Sequence, residues 1–113
     1  MADTSRMINK ELAEKVLAQI DENEVVEFLR GLVRIPSVNP PGDVREGVKY
    51  CGDKLGAEGF EIEYITREEE KPNLLATLSG GEGPTLLFNA HIDVVPTGDE
   101  SNWSYPPFGA ELV

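Results

Sequence analysis

Thr85-Leu86-Leu87-Phe88-Asn89-Ala90-His91-Ile92-Asp93 is the stretch whose reading decides the fold. Its first six residues form a nearly continuous apolar run, and Gly80-Gly81-Glu82-Gly83-Pro84 sets it off as a turn. Such a run suits a strand buried on both faces, inside an α/β sandwich. The only histidine, His91, follows it directly. In open α/β sheets ligands collect beyond the carboxyl ends of the strands. If the chain is still extended there, residues two apart point to the same side, which sets Asp93 beside His91. A carboxylate in that position can accept one ring N–H, fix the tautomer and leave the other nitrogen free for a metal.

Upstream, the pattern reads as helices followed by strands. Ile8, Leu12, Val16 and Ile20 recur every four residues and predict a helix over 5–20, with Asp3, Thr4 and Ser5 as capping oxygens. A second helix is predicted over 22–33, where Val25, Val26, Phe28, Leu29, Leu32 and Val33 make a broad apolar face. Pro36 must stop it, because proline has no N–H and disfavours helix in the residue before it. Residues 37–43 are loop by composition. A third helix is expected over 44–55 with Val48, Cys51 and Leu55 inward, and Gly56 or Gly59 as terminator. Phe60, Ile62 and Tyr64 alternate with Glu61, Glu63 and Ile65, a strand with one wet face. Residues 74–78 are a second strand, after a charged loop over 67–72, and the Pro-, Gly- and aromatic-rich segment 91–113 reads as ordered loop. The expected class is α/β: a partial three-layer α/β/α sandwich with N-terminal helices and then strands of a mixed central sheet.

Composition excludes several functions. The chain has 113 residues, enough for one small domain, with 21 Asp+Glu against 10 Lys+Arg and a formal charge of −11. Such a chain repels phosphate backbones and anionic lipid, so neither nucleic acid nor a membrane surface is an expected partner. No apolar run approaches the ~20 residues that span a bilayer. The N-terminal Met-Ala-Asp-Thr-Ser-Arg lacks a basic start followed by an apolar stretch, and the single cysteine fits a reducing compartment; a cytoplasmic protein is expected.

Taken alone, His-x-Asp is a weak signal, since a histidine near a strand end is usually structural. Asp99 and Glu100 read as solvated loop carboxylates as readily as ligands. Trp103 and Phe108 can line a pocket or simply pin a loop. Cys51 reads as helix packing, and Ser37 has no base near it in sequence that would make it a nucleophile.

The longer string from Leu87 through His91-Ile92-Asp93-Val94-Val95-Pro96, Gly98-Asp99, Trp103 and Pro107-Phe108 resembles the first metal-ligand segment of the dizinc amidohydrolase and peptidase family. That family includes acetylornithine deacetylase, succinyl-diaminopimelate desuccinylase, aminoacylase and glutamate carboxypeptidase. Ala90 stands where the family more often has glycine. Arg34-Ile35-Pro36-Ser37-Val38-Asn39-Pro40-Pro41-Gly42 also resembles the family's loop after its early helix. The likeness runs from about Glu22 to Val113.

The resemblance implies that His91 is a zinc ligand and that Asp93 is the catalytic aspartate orienting it. It implies two zinc ions per complete site, with cobalt as a substitute, and hydrolysis of the amide bond of N-acyl amino acids or short peptides, in a homodimer. The family's bridging aspartate, paired glutamates, further acidic ligand and second histidine fall beyond Pro-Phe. Residues 1–113 are therefore expected to be the N-terminal portion of a catalytic domain, without a second domain and inactive alone, since a catalytic zinc needs three protein ligands plus water. Two other readings stand beside this one. The first is a non-catalytic packing or interaction module. The second is a metal-independent enzyme using His91 and Asp93 as a base pair, which lacks a visible nucleophile. In each case the strand over 85–90 wants neighbours on both edges and would otherwise be open to association.

Overall fold

The first two helices begin where a short polar side chain takes up N–H groups that have no partner within the helix. Asn9 Oδ1 accepts from the Leu12 amide at 3.1 Å and opens α1, Lys10–Leu17. Asp21 Oδ1 accepts from Asn23 and Glu24 at 2.9 and 3.3 Å and opens α2, Glu22–Val33. This computed structural model describes residues 9–113, and continues with α3 (Arg45–Ala57), β1 (Glu61–Ile65), β2 (Asn73–Thr77) and one 3-10 turn at Glu100–Asn102. The class is mixed α/β.

α2 occupies the span expected of it. α1 ends earlier than the apolar stripe suggests: Ala18 caps it, and Ile20 lies in a tightened turn because Asp21 must be extended to cap α2. Ser5, Ile8 and the capping residues Asp3 and Thr4 lie outside the described residues. α3 runs through Gly56 and stops before Gly59, whose φ of +91° is the left-handed conformation that ends a helix without strain.

β1 and β2 pair antiparallel, with Ile62 opposite Ala76 and Tyr64 opposite Leu74. Ile62, Leu74 and Ala76 are the half-buried residues of this ribbon and share one face, on which α3 packs. α3 packs on α2 through Tyr50, whose ring stacks on Phe28 at a centroid distance of 5.3 Å and whose hydroxyl donates to the Phe28 carbonyl at 3.2 Å. Gly31 makes room for that phenol, as Gly52 does for the Tyr64 phenol.

The run over 85–90 departs from expectation. It joins no ladder and is not a buried strand: the described sheet has two strands, and Leu86, Leu87 and Phe88 are 77, 75 and 85% exposed. The physical reason is a lack of partners, for no described segment lies alongside to pair its backbone or cover its faces. The described residues form three helices and a two-stranded antiparallel sheet. Val48 is the one buried large apolar side chain among the described residues, and the radius of gyration of 18.4 Å exceeds the ~13 Å of a compact chain of this length. Among the described residues no helix is long and apolar enough to cross a membrane.

Two outcomes follow from this packing. Gly31→Ala would drive a methyl group into the Tyr50 phenol, and is expected to cost about 1–3 kcal/mol in a denaturant titration followed by circular dichroism. The exposed apolar run is expected to drive concentration-dependent association at low micromolar concentration in sedimentation, reduced by Phe88→Lys. A clean, cooperatively melting monomer would contradict the second expectation.

Candidate functional site

The site is built where two distant segments grip each other. The Ser37 hydroxyl donates to the Ile92 carbonyl at 2.6 Å. The Val94 amide donates to the Ser37 carbonyl at 3.1 Å and the Asn39 amide to the Val94 carbonyl at 2.8 Å, forming a parallel bridge between Val38 and Val94. This pairing holds residues 92–94 extended. Ile92 points inward, against α3 at Gly47, where there is no Cβ to obstruct its methyl end. His91 and Asp93 therefore turn the other way, to the same side.

The structure brings these two together. His91 Nδ1 lies 3.0 Å from Asp93 Oδ1 and 3.0 Å from the Asp93 carbonyl oxygen. Neither oxygen can donate when the carboxyl is ionised, so Nδ1 carries the proton in the neutral ring and Nε2 keeps its lone pair. The imidazole is 85% exposed. Asp93 Oδ2 accepts from Asn39 Nδ2 at 2.9 Å. The Asn39 amide, and then the His91 ring, hold the Asp93 carboxyl below its ordinary range.

His91 and Asp93 stand on a ridge between two open clefts. One, of about 410 Å³, carries polar side chains from Asn39, Lys71, Asn73 and Asn89, with Cys51 at its wall. The other, of about 430 Å³, is apolar, walled by Leu29, Leu32, Val33, Trp103, Pro107 and Phe108. The loop forming its far wall is tied down by Trp103 Nε1 donating to the Thr97 carbonyl at 3.0 Å and Arg30 Nε donating to the Ala110 carbonyl at 2.8 Å. An oriented ring nitrogen flanked by a polar and an apolar hollow can bind a cation or take a proton from a group lying in either.

The remaining residues singled out from sequence have local work. Asp99 Oδ1 accepts from the Ser101 amide at 2.9 Å and caps the 3-10 turn, which lowers its pKa. Burial pushes the half-buried Cys51 thiol up, away from the reactive thiolate. Ser37 is buried and spends its hydroxyl on Ile92, so it is a clamp and not a nucleophile. Asn39 is the residue that sequence reasoning missed. Its loop composition hid it, because its partner lies 54 residues away.

The donor set fits one position of a zinc site and not a whole one. His91 offers a free Nε2, but both Asp93 oxygens are engaged, and among the described residues no three His, Cys, Asp or Glu side chains converge. No family model matches the chain.

Because Asn39 and His91 both favour the ionised carboxylate, their contacts to Asp93 are expected to survive as pH falls past the ordinary 3.8 and to be lost only below it. The Asp93 carboxyl carbon shift, followed by NMR against pH, checks this. Asn39→Ala is expected to move the midpoint upward.

Proposed function

We propose that this chain is the His-x-Asp portion of a metal-dependent amide hydrolase acting on N-acyl amino acids or short peptides, similar to acetylornithine deacetylase and succinyl-diaminopimelate desuccinylase. The observation that supports it is the His91 imidazole held through Nδ1 by Asp93 at 3.0 Å, with Nε2 bare and open to solvent. A histidine that serves only packing has no need of such an exposed, carboxylate-backed arrangement. In this reading the metal is zinc, with cobalt as a substitute, and it supplies polarisation of the scissile carbonyl and a water of lowered pKa. The other ligands and the general base come from residues outside these 113, which would also extend the two-stranded ribbon into a three-layer α/β/α catalytic domain. A cytoplasmic homodimer belongs to the same proposal.

Within the chain the division of labour is specific. Ser37 and the Val38–Val94 bridge set the backbone, Asp93 sets the tautomer, and His91 presents the ligand atom. The polar and apolar clefts beside it offer room for the two unlike ends of an acylated amino acid.

A second reading is favoured by the exposed Leu86, Leu87 and Phe88, which suit a module that docks on another protein without catalysis. Hydrolysis of N-acetylornithine, N-succinyl-diaminopimelate and dipeptides by the protein that carries this chain separates the two. Turnover is expected to vanish with a chelator, to return with Zn²⁺ or Co²⁺, and to be lost in His91→Ala. Asp93→Asn is expected to lower it by about 10–100-fold. Turnover indifferent to the chelator would overturn the metal mechanism.

A further inference from the structure

An aspartate on a solvent-facing segment has three staggered χ1 positions open to it, and a hydrogen bond to an exposed imidazole is too weak in water to choose among them firmly. The Asp93 side chain is about one-third exposed and its imidazole partner far more so. Something else must select the arrangement in which Oδ1 faces the ring. Among the described residues, the one other side chain bonded to this carboxylate is Asn39, through Nδ2 to Oδ2 at 2.9 Å.

Asn39 is itself well placed for the task. Its backbone N–H is bonded to the Val94 carbonyl at 2.8 Å, so its Cα is locked to the same strand segment it regulates. Its carboxamide rests against Gly42. That glycine has a φ of +78° and donates its own N–H to the Val38 carbonyl at 2.9 Å. A Cβ there would lie 3.0 Å from Asn39 Cγ and 3.2 Å from both amide heteroatoms, tighter than ordinary contact. The missing methyl is the seat of the amide. The polarity of the contact is also determined, because an ionised carboxylate only accepts and the amide nitrogen must face it. A neutral donor suits the purpose: it holds the carboxylate without neutralising the negative charge that the imidazole N–H needs.

We propose that Asn39 is a positioning residue: seated on Gly42, its amide holds Asp93 in the one rotamer that directs Oδ1 at His91 Nδ1, and so aims His91 Nε2. The role deepens the proposed function and rests on it for its purpose, but the arrangement exists and is measurable in the metal-free chain. Ser37 and Asn39 then divide the work. The first secures the backbone of the His91–Asp93 segment, and the second secures the carboxylate.

NMR of the chain itself tests this. The decisive readout is the Asp93 χ1 population from three-bond couplings, with the His91 ring nitrogen shifts reporting the tautomer ratio and the Val94 amide reporting the integrity of the bridge. The unaltered chain is expected to show one Asp93 rotamer. In Asn39→Leu, similar in shape but without a donor, Asp93 is expected to average over rotamers. The ratio of the Nδ1–H to the Nε2–H tautomer is expected to fall about three- to tenfold, the part that remains being held by the Asp93 carbonyl. Gly42→Ala is expected to act in the same direction by displacing the amide. If Asn39→Leu shifts the Val94 amide, the smaller Asn39→Ala replaces it, with the same expected outcome. A single Asp93 rotamer and an unchanged tautomer ratio in the donor-free variant, with Val94 undisturbed, would overturn the role. The turnover assay on the protein that carries this chain keeps the two proposals apart: turnover indifferent to a chelator counts against the metal reading, and an indifferent Asp93 rotamer counts against Asn39 alone.

Discussion

The parallel contact between Ser37–Asn39 and Ile92–Val94 is the constraint on which the rest depends. It joins the segment after α2 to the segment that carries His91 and Asp93, across more than 50 residues, as the Ser37 to Ile92 separation of 55 shows. The buried hydroxyl of Ser37 is its anchor. Without that contact residues 91–94 have no reason to be extended, Ile92 has no reason to settle over Gly47, and the imidazole and carboxylate lose their common side. One hydrogen bond of this kind is modest in energy, about 1 kcal/mol net. Its importance here is geometric, because with the isolated Val38–Val94 bridge it holds a loop extended and so sets the direction of two side chains.

The same contact explains why the site is ordered while the run before it is not covered. Residues 92–94 gain a partner in residues 37–39, whereas residues 85–90 make no backbone hydrogen bond to any described segment. Three large apolar side chains in succession stay in water there. α1 is similar, with Leu12, Val16 and Leu17 more than half exposed and no packing on the other helices. The described residues thus combine one well-tied centre, formed by α2, α3, the ribbon and the bridge, with apolar surfaces that await cover. Both the hydrolase and the docking-module readings draw on this duality. They part at His91, whose fixed orientation has a use in the hydrolase reading and none in the docking reading.

Electrostatics sharpens the centre. A chain with a formal charge of −11 surrounds most of its cations with carboxylates, as the Lys54 pairs with Glu24 and Glu58 illustrate. These exposed pairs contribute little to stability. Asp93 differs in that its partners are a neutral amide and an imidazole, one for each oxygen. Its charge is therefore retained and pointed, rather than cancelled by a lysine.

Local signals in the sequence determined the elements that need only their own residues. Asp21 with the apolar face behind it delimited α2, the positive-φ glycine at 59 closed α3, and the alternation of Ile62 and Tyr64 with glutamates marked β1. The adjacency of His91 and Asp93 was legible for the same reason, since a two-residue spacing in an extended chain dictates a shared side. Tertiary structure alone decided the rest. The run over 85–90 carries the composition of a buried strand, but burial requires neighbours, and neighbours are not a property of the run. Ser37 and Asn39 look like ordinary loop residues because their partners lie 55 and 54 positions away, and no local pattern encodes a contact of that span.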